Sequence, residues 1–319
     1  MNHAPVLSIV IVNWNTRELL LAVLARLFDH PRLSFEVLVV DNQSSDGSAE
    51  AARAAFPAAI VLPQLVNGGF AYGVNRGLER ARGDWILLLN TDAEASWDEL
   101  ERFVNAAERE PAVAIFGPRI TDQHGTLQVS SWRAHRPGDY LPNALFLGRC
   151  RGHAQPTHAA DVDCVSGCVF LVRRSVLCEV GGLDERFWMY FEEADLCERV
   201  RRRGHRVRWL PDATFVHEGG LSAAQSAERT FTAFRESCLL YHAAWHGRLR
   251  TEWIRACLVL GLTLRLVAWL LLAMAGRGGR ARLHWRALCR LLRPGYVGEL
   301  CRRPRQVLTV PQVLPLVVR

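Results

Sequence analysis

Four short apolar runs punctuate the first 90 residues, and the segments between them have helical periodicity. The runs cover residues 6–12, 35–40, 59–62 and 85–89, and they are rich in valine, isoleucine and leucine. Continuous runs of this kind are typical of strands that are covered on both faces. Strands and helices that alternate through short connections predict βαβ units in a parallel, right-handed, doubly wound sheet. The chain is therefore predicted to be of the α/β class.

The alternation becomes less regular after the fourth run. Apolar periodicity predicts helices over 97–109 and 192–203, and β-branched runs predict strands over 113–116 and 163–172. Residues 130–160, rich in Gly, Pro, His and Arg, have no period that assigns them to a helix or a strand. The sequence thus predicts the first half of the fold in more detail than the second.

The positive charge of the chain lies in its C-terminal part. All 39 basic residues are arginine, and the net charge over 319 residues is +7. Residues 251–319 contain twelve arginines and only two acids, Glu252 and Glu299, so this part carries +10 and the rest carries −3. A weakly acidic main domain gives no sign of a nucleic-acid face. We predict a main domain over residues 1–248 and a basic helical tail over 249–319.

The cysteines and the N-terminus indicate a reducing compartment. Nine cysteines form no Cys-x-x-Cys pair, and no second pair stands near Cys164 and Cys168 to complete a zinc site. Free thiols in a cytosol are the expected state. Residues 1–5 do not begin a basic and then apolar stretch, so no signal peptide is expected.

Three segments of the chain carry polar side chains that suggest catalytic chemistry. Asp92 follows the fourth apolar run, Glu193 and Asp195 lie in an acidic cluster, and His217 comes later. A carboxylate at the carboxyl end of a buried strand lies where open α/β sheets bind ligands. One oxygen ligand, one imidazole and a separate carboxylate can serve a divalent metal and a general base. Each residue alone could equally be a solvated loop acid, a helix cap or a packed histidine; their order favours function.

The motifs around these residues resemble those of family-2 glycosyltransferases. The resemblance covers about residues 6–245 and consists of motifs that occur in the family's order. They are SIVIVNWN (8–15), VDNQSSDGS (40–48), NGGFA (67–71), NRG (75–77), LNTD (89–92), SGCVFLVRR (166–174), GGLDERF (181–187), YFEEADLC (190–197) and HEGGLS (217–222). The resemblance implies a GT-A fold, in which a nucleotide half and an acceptor half share one sheet. The most similar subgroup contains rhamnosyltransferases that build bacterial surface polysaccharides.

The resemblance also implies roles for residues on the nucleotide side. Trp14 is expected near the nucleobase, and Asp41 is expected to accept a hydrogen bond from it. The other residues expected to bind the nucleotide sugar are Asn67, Gly69, Asn75 and Asn90. Trp14 could instead be a core residue, and Gly69 could belong to a bare turn.

For the metal, the resemblance assigns Asp92 and His217 as ligands. Asp92 is the surviving acid of the family's Asp-x-Asp motif, and Asn90 stands at the position of the first acid. The implied cofactor is a divalent cation, Mg²⁺ or Mn²⁺, bridging the phosphates of the donor. Such an ion would offset the charge of the departing diphosphate.

Glu193 takes the position of the catalytic base, which is usually Asp in the family. A helix start favours its ionised form, and a carboxylate there can accept the proton of an acceptor hydroxyl. One base without a second nucleophile implies direct displacement with inversion. Asp195 is the rival base; its structural alternative is to bind backbone N–H groups in the first helical turn.

The tail contains two helical patterns. Residues 256–275 are apolar apart from Thr263 and Arg265 and are long enough to span a bilayer. The catalytic domain must face the cytosol to meet nucleotide sugars. A single span would therefore place the arginines of 277–305 on the far side of the membrane, against the tendency of basic segments to stay on the cytoplasmic side. The next pattern, 280–293, is a basic amphipathic helix. Its arginines are Arg282, Arg286, Arg290 and Arg293, and the opposite face carries Ala281, Trp285, Leu288 and Leu292.

We therefore predict a monotopic membrane foot on the cytoplasmic face of the inner membrane. The alternative is a helical pair that packs on the enzyme's own surface. The predicted partners are a nucleotide-sugar donor, a saccharide or polyprenyl-linked acceptor and the membrane surface. Rhamnose is the first expectation for the sugar and a hexose of uridine diphosphate the second.

Two other functions remain open at this point. A nucleotidylyltransferase would usually carry a Gly-rich phosphate loop after its first strand, which residues 13–16 lack. An inactive sugar-nucleotide-binding scaffold would have no need of the acids described above. Hydrolysis of the donor alone distinguishes them, because transfer chemistry releases a nucleoside diphosphate.

Overall fold

The structure is a computed structural model, and it describes residues 4–94, 96–134, 136–146, 155–219, 225–274 and 280–311. Its first half alternates strands and helices. These are β1 (Leu7–Asn13), α1 (Arg17–Phe28), β2 (Phe35–Asp41), α2 (Ser48–Ala55), β3 (Ile60–Pro63), α3 (Phe70–Leu78) and β4 (Trp85–Leu89). The four strands are parallel in the order β3-β2-β1-β4, and Asn13 and Asp41 end β1 and β2 side by side. The predicted parallel βαβ arrangement is confirmed here.

The second half extends this sheet through an antiparallel strand. Its elements are β5 (Ala93–Glu94), α4 (Trp97–Glu108), β6 (Val113–Thr121), β7 (Leu127–Gln128), β8 (Ser131–Trp132), a 3₁₀ turn (Pro137–Asp139), α5 (Tyr140–Ala144), β9 (Ala160–Asp161), β10 (Cys164–Val165), β11 (Val169–Arg173), α6 (Arg174–Val180), α7 (Glu192–Arg202) and β12 (Arg206–His217). β11 lies antiparallel between β4 and β6, and β6 pairs in parallel with β12. The result is a mixed ten-stranded sheet.

The single strand predicted over 163–172 is wrong. Residues 166–168 separate β10, which pairs with β8 in a small second sheet, from β11 in the main sheet. The turn that separates them carries Gly167, and the Cys168 carbonyl accepts a hydrogen bond from Asn90 N at 2.9 Å. This connection places residues 166–168 directly beside the end of β4.

The core lies on both faces of the sheet because alternate strand residues point in opposite directions. Val10 and Leu38 pack with α3 and α7 on one face, whereas Ile9 and Val37 pack with α1 and α4 on the other. The carboxyl ends of β1, β2 and β4 remain open between these layers, and this edge carries the site described below.

In the described part of the remaining chain four helices follow: α8 (Ala227–His246), α9 (Arg248–Met274), α10 (Ala281–Leu291) and α11 (Tyr296–Arg302). The apolar pattern of α9 is confirmed as one long helix, and it is long and apolar enough to cross a membrane. Only 17% of the residues in its most apolar 18-residue stretch are buried in the protein. Its C-terminal end exposes Leu270 and Leu271 by more than half.

For α10, the protein covers only part of the predicted apolar face. Its buried residues are His284, Ala287, Leu288 and Leu291, which pack on the neighbouring helices. Trp285 and Leu292, predicted on the same apolar face as Leu288, are exposed. The packed residues support the alternative of a helical pair on the enzyme's own surface, and the exposed residues leave part of the predicted membrane face open.

Residues 303–311, which we call the C-terminal strap, return from α11 to the main domain. Gly182 N donates to Leu308 O and Glu185 N donates to Gln306 O, both at 2.9 Å. Arg305 reaches further and binds the carboxylate of Asp195 on α7 at 2.8 Å. The strap therefore joins the C-terminal region to the helix that carries the acidic cluster.

Candidate active site

A cavity of about 250 Å³ opens at the carboxyl ends of β1 and β4, against the first turn of α7. Its walls combine side chains from distant parts of the sequence. The lining includes Trp14, Asn67, Gly69, Asn90, Asp92, Gly167, Cys168, Trp188, Tyr190, Glu192, Glu193, His217 and Thr230. The position agrees with the rule that ligands of open α/β sheets bind beyond the carboxyl ends of the strands.

The pairing of β5 with β12 brings Asp92 and His217 together. Ala93 is opposite His217 in this ladder, and Glu218 N donates to Asp92 O at 3.1 Å. As a result, His217 Nε2 lies 3.3 Å from Asp92 Oδ1, a contact between residues 125 positions apart in sequence. Both side chains are largely buried and line the cavity.

The environment of His217 favours a cation at its Nε2. Burial opposes the charge of the imidazole, but Asp92 and the Cys168 thiol outweigh that effect and raise the pKa of His217 to about 10. Nε2 is buried and has no well-directed hydrogen bond within the described residues, despite the ion-pair distance to Asp92. A metal ion can take the place of this proton between the two ligands.

Gln128 contacts His217 at two atoms that do not face the cavity. Gln128 Nε2 donates to the carbonyl oxygen of His217 at 2.7 Å, and Gln128 Oε1 lies 3.4 Å from His217 Nδ1. Such a contact leaves Nε2 to face the cavity. No third His, Cys, Asp or Glu joins the pair among the residues that the structure describes. Two protein ligands suit an ion such as Mg²⁺, which completes its shell with water and phosphate oxygens.

Gly69 lies where the chain passes closest to the loop before α7. Its φ is +95°, and a Cβ there would fall 2.1 Å from the carbonyl oxygen of Trp188. The adjacent Phe70 N donates to that same carbonyl at 2.8 Å, while Asn67 Oδ1 accepts from Gly69 N. The turn at Gly69 is therefore packed against the opposite wall of the cavity rather than standing free.

Two of the residues expected to bind the nucleotide sugar lie outside the lining of this cavity. Asp41 accepts hydrogen bonds from Asn13 Nδ2 at 2.8 Å and Ser44 N at 3.0 Å, so it organises the loop after β2. Asn75 is fully buried and exchanges two hydrogen bonds with the backbone of Leu183. It joins α3 to the loop that the C-terminal strap covers.

Glu193 lies in the first turn of α7 and faces the cavity. Burial raises the pKa of its carboxyl to about 7, although hydrogen bonds from backbone N–H groups at the helix start partly oppose the shift. Burial and the nearby charge of Glu193 raise the pKa of Glu192 well above its usual range. Of the two acids, Glu193 is therefore the one whose carboxylate form is less disfavoured near neutral pH.

The backbone before α7 is strained. Tyr190 and Phe191 have φ values of +69° and +68°, in the left-handed region that non-glycine residues rarely adopt. Aromatic contacts with α8 hold them, because the ring of Phe234 lies 5.5 Å from each of their rings. This geometry directs the first turn of α7, with Glu193, into the cavity.

Asp195 occupies a different environment two residues further along α7. It is fully buried, and its carboxylate accepts hydrogen bonds from Arg199 Nε at 2.9 Å, Trp245 Nε1 at 2.9 Å and Arg305 Nη1 at 2.8 Å. It does not belong to the cavity lining. These partners are side chains, whereas the structural alternative raised from the sequence assigned it backbone N–H groups.

Sequence reasoning missed two residues that shape the site. The carbonyl oxygen of Trp188 accepts a hydrogen bond from Phe70 N, and the Trp188 ring lines the cavity. The guanidinium of Arg229 lies 3.9 Å from the centre of that ring. The place of Trp188 just before the acidic motif was the available signal. Gln128, which holds His217, lies between the strand predicted over 113–116 and the segment 130–160, where no element was predicted, and it gave no signal.

Known proteins resemble this chain in sequence. The family model described as glycosyl transferase family 2 matches residues 8–181, more than half of the chain. The N-acetylglucosaminyl-diphospho-decaprenol L-rhamnosyltransferase of Mycobacterium tuberculosis is 28% identical over 262 residues, 76% of this chain and 85% of that protein. A low-salt glycan biosynthesis hexosyltransferase of Haloferax volcanii is 27% identical over 239 residues, 73% of this chain and 74% of its own.

Two solved structures share the fold. A mannosyltransferase from Pyrobaculum calidifontis, in complex with GDP-Man and Mn²⁺, superposes with a TM-score of 0.52 at 16% identity, covering 92% of this chain and 88% of its own. A GalNAc transferase with UDP, GalNAc and Mn²⁺ superposes with a TM-score of 0.55 at 14% identity, covering 76% and 51%. The predicted GT-A fold is confirmed.

Proposed function

The chain belongs to glycosyl transferase family 2, and from that premise we propose that it is a metal-dependent, inverting enzyme acting on a lipid-linked saccharide. The observation that carries the proposal is the composition of one cavity. Asp92 and His217 line it together, at the end of the β5–β12 ladder, and Glu193, with a pKa of about 7, lines it from the first turn of α7. Glycosyl transfer needs both functions, one for the departing diphosphate and one for the acceptor hydroxyl.

On the donor side, Asp92 and His217 would hold the divalent cation. When bound, the cation supplies charge that offsets the negative charge of the leaving diphosphate. Trp14, Asn67 and Asn90 line the same side of the cavity and offer a ring face and amide groups to the nucleotide. Support for Mn²⁺ or Mg²⁺ comes from the two-ligand geometry and from the Mn²⁺ in both structural neighbours.

On the acceptor side, Glu193 takes the proton of the acceptor hydroxyl. The hydroxyl oxygen forms a bond to the anomeric carbon while the bond from that carbon to the diphosphate oxygen breaks, and the nucleoside diphosphate leaves with the electron pair. Burial and the nearby charge of Glu193 raise the pKa of Glu192, the neighbouring acid of the cavity, well above its usual range, which disfavours the carboxylate that a base or a nucleophile needs. A single ionisable base facing the acceptor favours inversion over a two-step mechanism.

The sugar and the acceptor follow from the similar proteins. We propose rhamnose as the sugar and a saccharide on a polyprenyl diphosphate as the acceptor, because the Mycobacterium relative is named for that reaction. The deciding experiment offers purified protein a panel of nucleotide sugars, with deoxythymidine-diphosphate rhamnose first. Release of nucleoside diphosphate from one donor, lost on adding chelator, supports the proposal; pyrophosphate release or no turnover with any donor refutes it.

We further propose that the protein acts at the cytoplasmic face of a membrane. The exposed apolar end of α9, with Leu270, Leu271 and Leu272, supports this, since soluble proteins rarely expose a contiguous apolar helix. The arginines of α10 would face anionic headgroups. Release from membranes by high salt would indicate a peripheral foot, and extraction by detergent alone would indicate a span.

A further inference from the structure

Arg235 on α8 is a cation without an acidic partner in the described part of the chain. Its guanidinium donates one hydrogen bond, to the carbonyl oxygen of Phe231 at 2.5 Å, and lies over the Phe231 ring. Its Nε is buried and has no hydrogen-bond partner. A half-buried cation whose Nε is buried without a hydrogen bond costs stability, so its presence calls for a ligand or a function.

A second such arginine, Arg265 on α9, borders the same short helix: Cys238, one turn after Arg235, contacts Tyr140 at the start of α5, and Arg265 donates to Asn143 near its end. Its guanidinium donates only to backbone carbonyls, to Gly261 O at 3.0 Å and Asn143 O at 3.2 Å, and it lies over the ring of Phe146. Burial and the charge of Arg265 together lower the pKa of Arg235 to about 10. Two cations that repel each other, with no carboxylate between them, make a site for an anion.

The surroundings of this pair indicate an anion with an apolar part. Phe146 is 60% exposed and Leu264 is 37% exposed, and both lie beside Arg265 at the exposed apolar surface of α9. On the other side, Phe234 contacts Tyr190, which lines the cavity. The pair therefore lies between the cavity and the lipid-facing part of α9.

We propose that Arg235 and Arg265 bind the diphosphate of an isoprenoid lipid whose hydrocarbon chain lies along the exposed face of α9. This inference rests on the proposed function, because it gives the lipid-linked acceptor a place for its headgroup. Thr230 lines the cavity and precedes Arg235 by five residues, or roughly 7–8 Å along the axis of α8. A saccharide attached to the diphosphate can span that distance to Glu193.

The test uses the full chain in neutral detergent, with farnesyl diphosphate as the probe and calorimetry as the readout. We expect Arg235→Gln and Arg265→Gln each to weaken binding at least about ten-fold, the effect of losing one charge-assisted hydrogen bond. Arg53→Gln, at an exposed arginine of α2, is the matched control and should bind as the unaltered protein does. Farnesol, which lacks the anion, and inorganic diphosphate, which lacks the chain, should both bind much more weakly.

A stability measurement separates a binding role from a structural one. Because the buried Nε of Arg235 has no hydrogen-bond partner and no described carboxylate pairs with its guanidinium, Arg235→Gln should leave the Tm unchanged or raise it, whereas removing a structural arginine would lower it. The proposal is overturned if Arg235→Gln binds farnesyl diphosphate normally, or if farnesol or inorganic diphosphate binds equally well. A lowered Tm would overturn it too.

Failure of this site and failure of the proposed function give different results. Farnesyl diphosphate binding is measured without a donor, so a chain that binds the lipid but transfers no sugar refutes only the transferase proposal. Conversely, sugar transfer with an unchanged acceptor KM in Arg235→Gln refutes only the lipid site.

Discussion

The two walls of the cavity are built in different ways. The donor wall, as we name the proposed donor residues Trp14, Asn67, Asn90, Asp92 and His217, lies at strand ends where short sequence segments fix most of the backbone, and the β5–β12 ladder adds His217 from a distant segment. The acceptor wall, as we name the first turn of α7 with Glu193, depends on a strained loop at Tyr190 and Phe191, on α8, and on Arg305 from the C-terminal strap. The donor wall should therefore respond to changes in its own side chains, whereas the acceptor wall should also respond to changes far away in sequence.

The largest effect is expected at the base itself. Glu193→Gln should lower turnover by roughly 10²–10⁴-fold, because the amide cannot accept the proton of the acceptor hydroxyl. Donor affinity should hardly change, since Glu193 lies on the acceptor wall. Steady-state kinetics and donor calorimetry test this. A Glu193→Gln enzyme with near-normal turnover, alongside an inactive but folded Asp195→Asn, would transfer the role to Asp195.

Asp92→Asn should break the donor wall alone. Loss of the carboxylate should weaken metal-dependent nucleotide binding by roughly 10–100-fold or more, and turnover should fall with it. His217→Ala should have a smaller effect, because water or phosphate can fill the vacated position. If calorimetry finds that Asp92→Asn binds Mn²⁺ and nucleotide as the unaltered protein does, the metal site is misassigned.

Arg305→Gln tests the long-range support of the acceptor wall. It removes one of the three side chains that bind the buried Asp195 carboxylate, and we expect a loss of about 1–3 kcal/mol in the free energy of unfolding. Turnover should fall more than donor affinity. Arg303→Gln is the control, because Arg303 forms an exposed pair with Glu299. Equal effects of the two substitutions in denaturant unfolding would show that Asp195 does not need the strap.

The smallest effect expected is in pH dependence. Turnover should rise with pH and level off above about 7, as Glu193 loses its proton. Stability should change in the opposite direction. A carboxyl whose pKa is raised by folding binds more protons in the native state, so its contribution is present below pH 4.5 and is lost as pH rises through about 7. Glu193→Gln should flatten both profiles, and an unchanged turnover profile in that variant would contradict the assignment.

These differences also explain what the sequence could predict. The parallel strands β1 to β4 were predictable because a run of apolar residues and the helix after it are local signals. The antiparallel insertion of β11 was not, because strand pairing is decided by contacts between distant segments. The approach of Asp92 to His217 needs the β5–β12 pairing, so the resemblance to a family suggested it before any periodicity could.

The same limit applies to the residues whose roles the structure refines. Asp195 lies in the same acidic motif as Glu193, and nothing local distinguishes a buried anchor from a base. Its partners Trp245 and Arg305 lie 50 and 110 residues later in the chain. Trp285 was assigned to an apolar face of α10 because a helical wheel gives directions but does not say whether protein or lipid covers them.

Because the strap is translated after α9, the acceptor wall can gain its last partner for Asp195 only late in synthesis. Arg305 leaves the ribosome only after α9, and it follows Asp195 by 110 residues, or roughly 5 to 20 seconds of translation. During that interval the nascent chain can fold its parallel strands while the carboxylate of Asp195 still lacks one of its partners. The apolar α9 therefore emerges, and can meet the bilayer, before the acceptor wall is complete.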